Sequence, residues 1–160
     1  MTSIAHLQGD ATEPQGDPPL IITHVVTWDG EGGFSVLGLS LSNKWTAPEM
    51  AYRKWVATEK TKGFHLPLGE VQFVEVQPGV TVANMVAQRG LRGVGNTVPL
   101  SYPSLRFCLA RVASRALETA AAVHMPRIGC GLAGGRWENV ELLIRQELCQ
   151  KGVGVTVYDL

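Results

Sequence analysis

The stretch that decides the fold is Val123–Glu138, which reads VHMPRIGCGLAGGRWE. It begins with an apolar run, places four glycines within seven residues, and continues into a segment of helical composition. Glycines let backbone N–H groups converge on one point, and the N-terminus of a following helix adds a positive partial charge there. The pattern therefore predicts a strand, a glycine-rich turn (Gly129–Gly135) and a helix, with the phosphates of a nucleotide-type ligand on the turn. A strand-to-helix turn without a ligand would need fewer glycines.

An earlier predicted strand leads into another glycine cluster, which we call the first glycine-rich loop. Leu20–Val26 is almost entirely apolar and rich in β-branched residues, as expected for a strand covered on both faces. The loop Thr27–Gly33 contains three glycines, and a helix is predicted from Phe34 to Trp45. Because the carboxyl ends of parallel strands meet at one edge of a sheet, the two glycine-rich segments should face each other across a crevice and hold one pyrophosphate.

Apolar periodicity assigns the remaining elements. Further strands are predicted at Ser3–Gln8, Val71–Val76, Val80–Val86, Val123–Ile128 and Val153–Tyr158. Further helices are predicted at Pro48–Lys60, Ser101–Ala121 and Arg136–Gln150. Met50 and Leu117 are among the helical side chains assigned to the core. The alternation predicts one α/β domain over residues 1–160, in which helices cover both sides of a mixed, mainly parallel sheet.

Charge and composition narrow the function classes. Fourteen basic residues balance fourteen acidic ones, which argues against a tight, non-specific nucleic-acid binder. No apolar run approaches the roughly 20 residues that span a bilayer, and Met1–Asp10 lacks the pattern of a signal peptide. The three cysteines (Cys108, Cys130 and Cys149) are widely spaced, and no Cys/His cluster suggests a metal site. We expect a cytoplasmic protein with reduced thiols and without a metal, cofactor or membrane partner.

The glycine-rich turn Gly129–Gly135 also permits a different function. Gly129, Gly131 and Gly134 spell the G-x-G-x-x-G pattern of dinucleotide-binding folds, and Asp159 ends the next predicted strand, where a ribose-binding acid would be sought. A fold of that type begins with this unit and continues for several strands, whereas one predicted strand follows here. A nicotinamide-dependent oxidoreductase is therefore the weaker alternative.

Four segments together resemble the macrodomain family, whose members bind ADP-ribose. They are Gly9-Asp10 after the first strand, Ile21–Val26 with its glycine-rich loop, Met125–Leu132 (MPRIGCGL) followed by Trp137–Val140 (WENV), and Val155–Leu160 (VTVYDL). The last two look especially like the terminal ADP-ribose protein glycohydrolase class and the small bacterial stand-alone macrodomains related to it. The resemblance covers essentially the whole chain. It implies a three-layer α/β/α fold around a mixed, mostly parallel sheet of about six strands.

The resemblance also implies how ADP-ribose is held. Asp10 would bind adenine with Ala11 beside it, and Tyr158 would stack on the adenine ring. The distal ribose and one phosphate would lie against the first glycine-rich loop, at Gly32, Gly33, Phe34 and Ser35. The other phosphate and ribose would lie on the second, largely on its backbone N–H groups, at Pro126, Ile128, Gly129, Cys130, Gly131, Leu132 and Ala133. Gln88 and Arg89 complete the predicted ligand contacts.

The chain departs from the glycohydrolase class at two positions. Gln88 stands where that class has a lysine, and Ala133 stands where it has an aspartate. Glutamine cannot form an amine adduct with the sugar aldehyde, and alanine cannot act as a general acid or base. Asp29 and Glu31, in the first glycine-rich loop, are the acids expected near the distal ribose. One of them could activate a water that Gln88 orients, with the ribose held in geometry.

Three further side chains invite a chemical role. His24 lies within an apolar strand, so we interpret it as a core histidine with a satisfied hydrogen bond, and His124 is expected to point into the sheet. Cys130 lies between two glycines beside a predicted helix N-terminus, a setting that can lower the pKa of a thiol. We interpret Cys130 as part of the backbone cradle.

Three functions are compatible with these residues. The first, which we favour, is a hydrolase that removes mono-ADP-ribose from acidic side chains of proteins or deacylates O-acetyl-ADP-ribose. The second is a non-catalytic reader of ADP-ribose or ADP-ribosylated protein, and the third is a phosphatase acting on ADP-ribose 1″-phosphate. The absence of a second module in the sequence favours the enzyme over the reader. The partner is ADP-ribose or an ADP-ribosylated protein, with a nucleic acid relevant only if ADP-ribosylated, and Gly90–Pro99 is a candidate lid.

Overall fold

A computed structural model describes residues 1–30, 34, 37–90 and 98–160 of the chain. In these residues strands and helices follow one another as β1 (Ile4–Gln8), β2 (Leu20–Thr27), α1 (Gly38–Lys44), α2 (Ala47–Thr61), β3 (Val71–Gln77), β4 (Val80–Gln88), α3 (Tyr102–Thr119), β5 (Ala122–Pro126), α4 (Trp137–Glu147) and β6 (Val155–Asp159). Short 3-10 turns at Gly131–Ala133 and Cys149–Lys151 flank α4.

The apolar strand β2 lies inside the sheet, and all of its residues are buried. The strand order is β1-β6-β5-β2-β4-β3. β2 pairs in parallel with β4 and β5, β6 pairs in parallel with β5 and β1, and β3 joins β4 antiparallel. The predicted mixed, mainly parallel sheet is therefore confirmed, and the carboxyl ends of β2, β4, β5 and β6 share one edge.

Helices cover both faces of this sheet. One apolar cluster joins Ile21 and Val25 of β2 to side chains of α3 and α4. The other joins Ile22 and Val26 to α1 and to buried Tyr52 of α2. Because successive residues of a strand point to opposite faces, a single apolar strand contributes to both cores. The arrangement is the three-layer α/β/α fold that the resemblance implies.

Two helical residues that the sequence assigns to the core are exposed. Met50 is 67% exposed. The buried side of α2 includes Tyr52 and Val56, and a residue two positions from Tyr52 lies about 200° around the helix from it. Leu117 is 56% exposed, because each i+4 step rotates about 40° and three steps carry Leu117 about 120° away from buried Leu105.

The helix predicted from Phe34 begins later, at Gly38. Phe34 is 6% exposed, and a Cβ added at Gly38 would lie 2.7 Å from the Phe34 Cβ. The apolar spacing that suggested a helix therefore includes a loop residue that packs into the core beside Gly38. Positions 35 and 36 lie outside the described residues. The other predicted boundaries match the observed ones or differ from them by at most three residues.

Candidate functional site

The turn Gly129–Gly135 follows β5 at the carboxyl edge of the sheet, and its backbone requires glycine. Gly129, Gly131 and Gly134 have φ values of 74°, 71° and 76°, in the left-handed region that other residues disfavour. A Cβ added at Gly135 would lie 2.2 Å from the carbonyl oxygen of Gly129. At exposed Gly131, an added Cβ would meet nothing within 4 Å. The tight path thus accounts for part of the glycine content, and the space over Gly131 leaves its backbone accessible to a ligand.

Three carbonyl oxygens of the turn are paired within the protein. Gly129 O accepts from Gly135 N at 2.8 Å, and Gly131 O accepts from Gly134 N at 2.9 Å. Ala133 O accepts from Leu100 N at 2.9 Å. Because a carbonyl oxygen repels an anion, engaging these acceptors internally favours the approach of a phosphate to the turn.

The helix after the turn contributes less than the sequence suggests. A 3-10 turn separates the first glycines from α4, which begins at Trp137. The N–H of Arg136, at the start of that helix, donates to the hydroxyl of Tyr102 at 2.9 Å. The positive end of α4 is therefore partly satisfied by a side chain, which the sequence reasoning missed because Tyr102 lies on a different helix.

Cys130 is not an activated thiol. Burial raises the pKa of its thiol, and the Sγ lies 3.6 Å from the carbonyl oxygen of Ile128. The suggestion that the turn lowers this pKa is therefore wrong, because desolvation of the thiolate outweighs the nearby positive groups. Cys130 lies in the turn directly before the 3-10 segment, and its role in the backbone cradle stays a prediction.

Asp159 is occupied by an ion pair. Its carboxylate accepts from Arg127 Nε at 2.6 Å and from the second guanidinium nitrogen at 3.3 Å. This hydrogen-bonded guanidinium lowers the pKa of Asp159. The residue that the dinucleotide alternative requires for ribose is therefore engaged within the protein, and the sheet order differs from that of dinucleotide-binding folds.

The predicted adenine end lies at the loop after β1. One carboxylate oxygen of Asp10 accepts from both the N–H and the hydroxyl of Thr12, each at 2.8 Å. Ala11 is buried. Tyr158 is 3% exposed, and its hydroxyl accepts from Gln15 N at 2.8 Å and lies 2.8 Å from His124 Nδ1. Because the Tyr158 side chain is buried, adenine could stack on its ring only if neighbouring residues moved. The stacking therefore stays a prediction.

The first glycine-rich loop is described only in part. Glu31, Gly32, Gly33 and Ser35 lie outside the described residues, as do positions 91–97 of the candidate lid. Phe34 packs edge-on against His24, with ring centroids 4.6 Å apart, and lies 5.5 Å from Tyr52. Its side chain therefore belongs to the core. His24 is fully buried, its Nε2 bonds Asn84 Oδ1 and burial lowers its pKa to about 4, which confirms a core histidine.

Asp29 and Gln88 meet where β2 and β4 end. Thr27 and Gln88 are register partners, and Trp28 N donates to Gln88 O at 2.9 Å. Gln88 is 6% exposed, and its Nε2 donates to Gly90 O at 2.7 Å. Asp29 Oδ2 lies 3.6 Å from the position of a Cβ at Gly90. Two of the three candidate catalytic residues therefore lie in one corner, which we call the Asp29 corner.

Leu100 links this corner to the glycine-rich turn, and sequence reasoning missed it. It forms an antiparallel bridge with Gln88, and its N–H donates to Ala133 O. The two positions that depart from the glycohydrolase class, Gln88 and Ala133, are thus joined through one residue. A lone leucine between a polar loop and a helix has no periodicity, so the sequence carries no signal for this role.

Among the residues that the structure describes, the side chains form no metal site. Across the described ranges, no group of three or more His, Cys, Asp or Glu side chains is close enough to hold a metal ion. In the same ranges no helix combines the length and apolar composition that a membrane crossing needs.

Arg89, a predicted ligand contact, is exposed, with its guanidinium carbon 6.0 Å from the centre of the Trp28 ring.

Two solved structures match the whole fold. A protein from Bacteroides thetaiotaomicron is 44% identical with a TM-score of 0.92, over 99% of each chain. A macrodomain protein from Streptomyces coelicolor is 42% identical with a TM-score of 0.84, also over 99% of each chain. The chain belongs to the macrodomain family. Its sheet order and layers are those of a macrodomain, as the sequence motifs imply.

This macrodomain also matches parts of other proteins. Chromodomain-helicase-DNA-binding protein 1-like from Mus musculus is 29% identical over 98% of this chain and 18% of that protein. The chain spans less than a fifth of the length of that protein and of the Danio rerio protein of the same name. ADP-ribose glycohydrolase OARD1 from Bos taurus is 38% identical over 61 residues, which are 38% of this chain and 40% of that protein. No protein-family model matches the macrodomain.

Proposed function

We propose that this macrodomain binds ADP-ribose and hydrolyses an ester between its distal ribose and a carboxylic acid. The acid would be an acidic side chain of a protein, or the acyl group of a small ester such as O-acetyl-ADP-ribose. The observation that carries the proposal is the turn Gly129–Gly135, whose internally paired carbonyl groups and accessible backbone at Gly131 suit a diphosphate. The name of the OARD1 relatives, ADP-ribose glycohydrolases, supports the same ligand.

The order of the strands along the carboxyl edge of the sheet suggests how ADP-ribose would be oriented. Asp10 lies after β1 and would bind adenine, and the diphosphate would lie on the turn after β5. The distal ribose would then reach the ends of β2 and β4, at the Asp29 corner. Binding at the carboxyl ends of parallel strands is the general arrangement in open α/β sheets.

A water molecule would be the nucleophile. Gln88 cannot form the amine adduct of the class lysine, and Ala133 cannot replace the class aspartate as an acid or base. For a glutamate linked to the anomeric carbon, the water oxygen bonds to that carbon and the bond to the carboxylate oxygen breaks. The carboxylate leaves with the bonding electrons, and the proton of the water passes to Asp29. Gln88, fixed by its bond to Gly90 O, would orient the water or the ribose.

The test is a binding and release experiment. ADP-ribose is titrated calorimetrically, and the protein is then incubated with a substrate that is mono-ADP-ribosylated on glutamate while free ADP-ribose is followed. We expect binding and release, and parallel assays with O-acetyl-ADP-ribose and ADP-ribose 1″-phosphate identify the leaving group. Absence of ADP-ribose binding would overturn the proposal.

A reader function is the second candidate, because a glutamine and an alanine replace the lysine and aspartate of the glycohydrolase class. A reader would bind ADP-ribose in the calorimeter and release nothing from any of the three substrates. In that case Gln88 and Ala133 would serve to shape the pocket through Leu100, without taking part in a reaction.

A further inference from the structure

An apolar groove of about 450 Å³ lies beside the Asp29 corner. It runs between the end of α2 and the residues after β2, and Trp28, Phe64, His65 and Leu68 are among the residues that line it. We call it the Phe64 groove. Trp28 directly precedes Asp29 in the chain, so the groove begins where the proposed distal ribose would end.

Backbone hydrogen bonds hold the groove in shape. Gly63, with φ 81°, lies two residues after the end of α2, and Phe64 N donates back to Glu59 O at 2.9 Å. This is the arrangement in which a left-handed glycine closes a helix. Leu66 is 1% exposed, and its N–H donates to Trp28 O at 2.7 Å. The segment that carries Phe64 is therefore fixed to the end of β2, and a partner would find the groove already formed.

The groove presents aromatic surface to solvent. The rings of Trp28 and His65 are stacked, with centroids 4.4 Å apart and planes at 25°. Phe64 beside them is 62% exposed. A single exposed apolar residue needs no explanation, but an exposed phenylalanine next to a stacked aromatic pair forms a continuous surface suited to an apolar side chain.

The charges around the groove favour an anionic partner. The carboxylate of Glu59 is paired with Lys62 Nζ at 3.5 Å, so the acid that lines the groove is compensated. The guanidinium of exposed Arg89 lies over Trp28. His65 stacks on the Trp28 ring and the Arg89 guanidinium lies 6.0 Å from the ring centre, so part of the ring surface on which a nucleobase would stack is already in contact with protein. A peptide is therefore a better occupant than a nucleic acid.

We infer that the Phe64 groove receives the acidic peptide segment that carries the ADP-ribose. An apolar side chain of the peptide, next to the modified glutamate, would rest on Phe64 and His65. Other carboxylates of the peptide, close to the modified glutamate, would face Arg89. This inference rests on the proposed function for the position of the sugar. It adds a specificity site for the protein part of the substrate, outside the ADP-ribose pocket.

The test compares Phe64→Ser with Phe107→Ser, a matched control whose phenylalanine is 65% exposed on α3. The substrates are O-acetyl-ADP-ribose and a peptide that is ADP-ribosylated on a glutamate between a leucine and a second glutamate. We expect Phe64→Ser to raise the KM for the peptide about tenfold, the scale of one buried phenylalanine ring. The KM for O-acetyl-ADP-ribose and the Kd for ADP-ribose should stay unchanged. Phe107→Ser should match the wild type with both substrates.

An unmodified peptide of the same sequence separates failure of the inference from failure of the proposed function. At millimolar concentration it should shift the indole N–H resonance of Trp28 in the wild type and leave it unshifted in Phe64→Ser, whether or not the protein hydrolyses anything. Absence of that shift, equal losses in both phenylalanine variants, or a stronger shift from a short single-stranded oligonucleotide would overturn the inference. Replacing the peptide's second glutamate by glutamine should weaken the shift, and an unchanged shift would refute the role of Arg89.

Discussion

At Gly135 an added side chain has no space, since its Cβ would lie 2.2 Å from Gly129 O and 2.5 Å from Leu100 Cδ2. We expect Gly135→Ala to lower the free energy of unfolding by about 2 kcal/mol and to weaken ADP-ribose binding, because overpacking forces the turn to shift. Gly154→Ala is the control, since its Cβ would make one ordinary contact with Ala122 at 4.0 Å. Urea unfolding measures both variants, and equal stability would refute the steric account.

Asp29 carries the proposed proton transfer. We expect Asp29→Asn to slow ester release at least about 100-fold and to leave the Kd for ADP-ribose within about threefold, because the amide keeps the shape but cannot accept the proton. Asp17→Asn, at an exposed acid before β2, should leave both quantities unchanged. Single-turnover release and calorimetry measure them. Full release by Asp29→Asn would remove Asp29 from the mechanism.

Between elements, a buried polar network joins β2, β4, β3 and α2. His24 Nε2 bonds Asn84 Oδ1, and the Asn84 amide nitrogen donates to Pro48 O at 3.1 Å and to Gln72 Oε1 at 3.0 Å. These bonds satisfy buried polar groups beside Phe34, whose ring packs edge-on against His24. The network therefore ties β2, β4 and β3 to the start of α2.

Burial of His24 makes this network sensitive to acid. Because burial lowers the His24 pKa from 6.5 to about 4, the unfolded chain binds a proton in that window that the folded protein does not. The free energy of unfolding therefore has its full value above pH 6.5, where His24 is neutral in both states, and it decreases as the pH falls toward 4. Between pH 7.5 and pH 5, protonation of His24 in the unfolded chain should by itself lower the free energy of unfolding by about 2 kcal/mol. Burial also lowers the His124 pKa, which adds to the loss.

Urea unfolding at the two pH values measures the slope in the wild type, His24→Gln and His6→Gln. His24→Gln should lose most of the pH dependence, and His6→Gln, at an exposed position, should keep it. If the wild type is equally stable at both pH values, His24 is protonated in the folded state and its buried environment is misassigned.

For the whole molecule, the sequence predicts the layers better than the site. Strand and helix patterns are local, so LIITHVV in β2 and the apolar stripe of α3 indicate buried elements without knowledge of their partners. Contacts between distant residues have no such signal. Leu100 with Ala133, Gln15 with Tyr158, and Asp29 with Gly90 become neighbours only when the strands align. Even the local pattern misplaced the start of α1, because Phe34 packs into the core from a loop.

Both cores should unfold in one transition that ADP-ribose shifts as a whole, since a single sheet supplies them. Trp137 packs against the α3–α4 cluster, whereas the other three tryptophans pack against the α1–α2 cluster. The fluorescence of Trp137→Phe therefore reports one side, and far-UV circular dichroism reports both. We expect coincident midpoints, and ADP-ribose at 100 times its Kd should add about 2.7 kcal/mol to the unfolding free energy in each signal. A ligand effect confined to one signal would mean that the site belongs to one layer and that the two cores unfold separately.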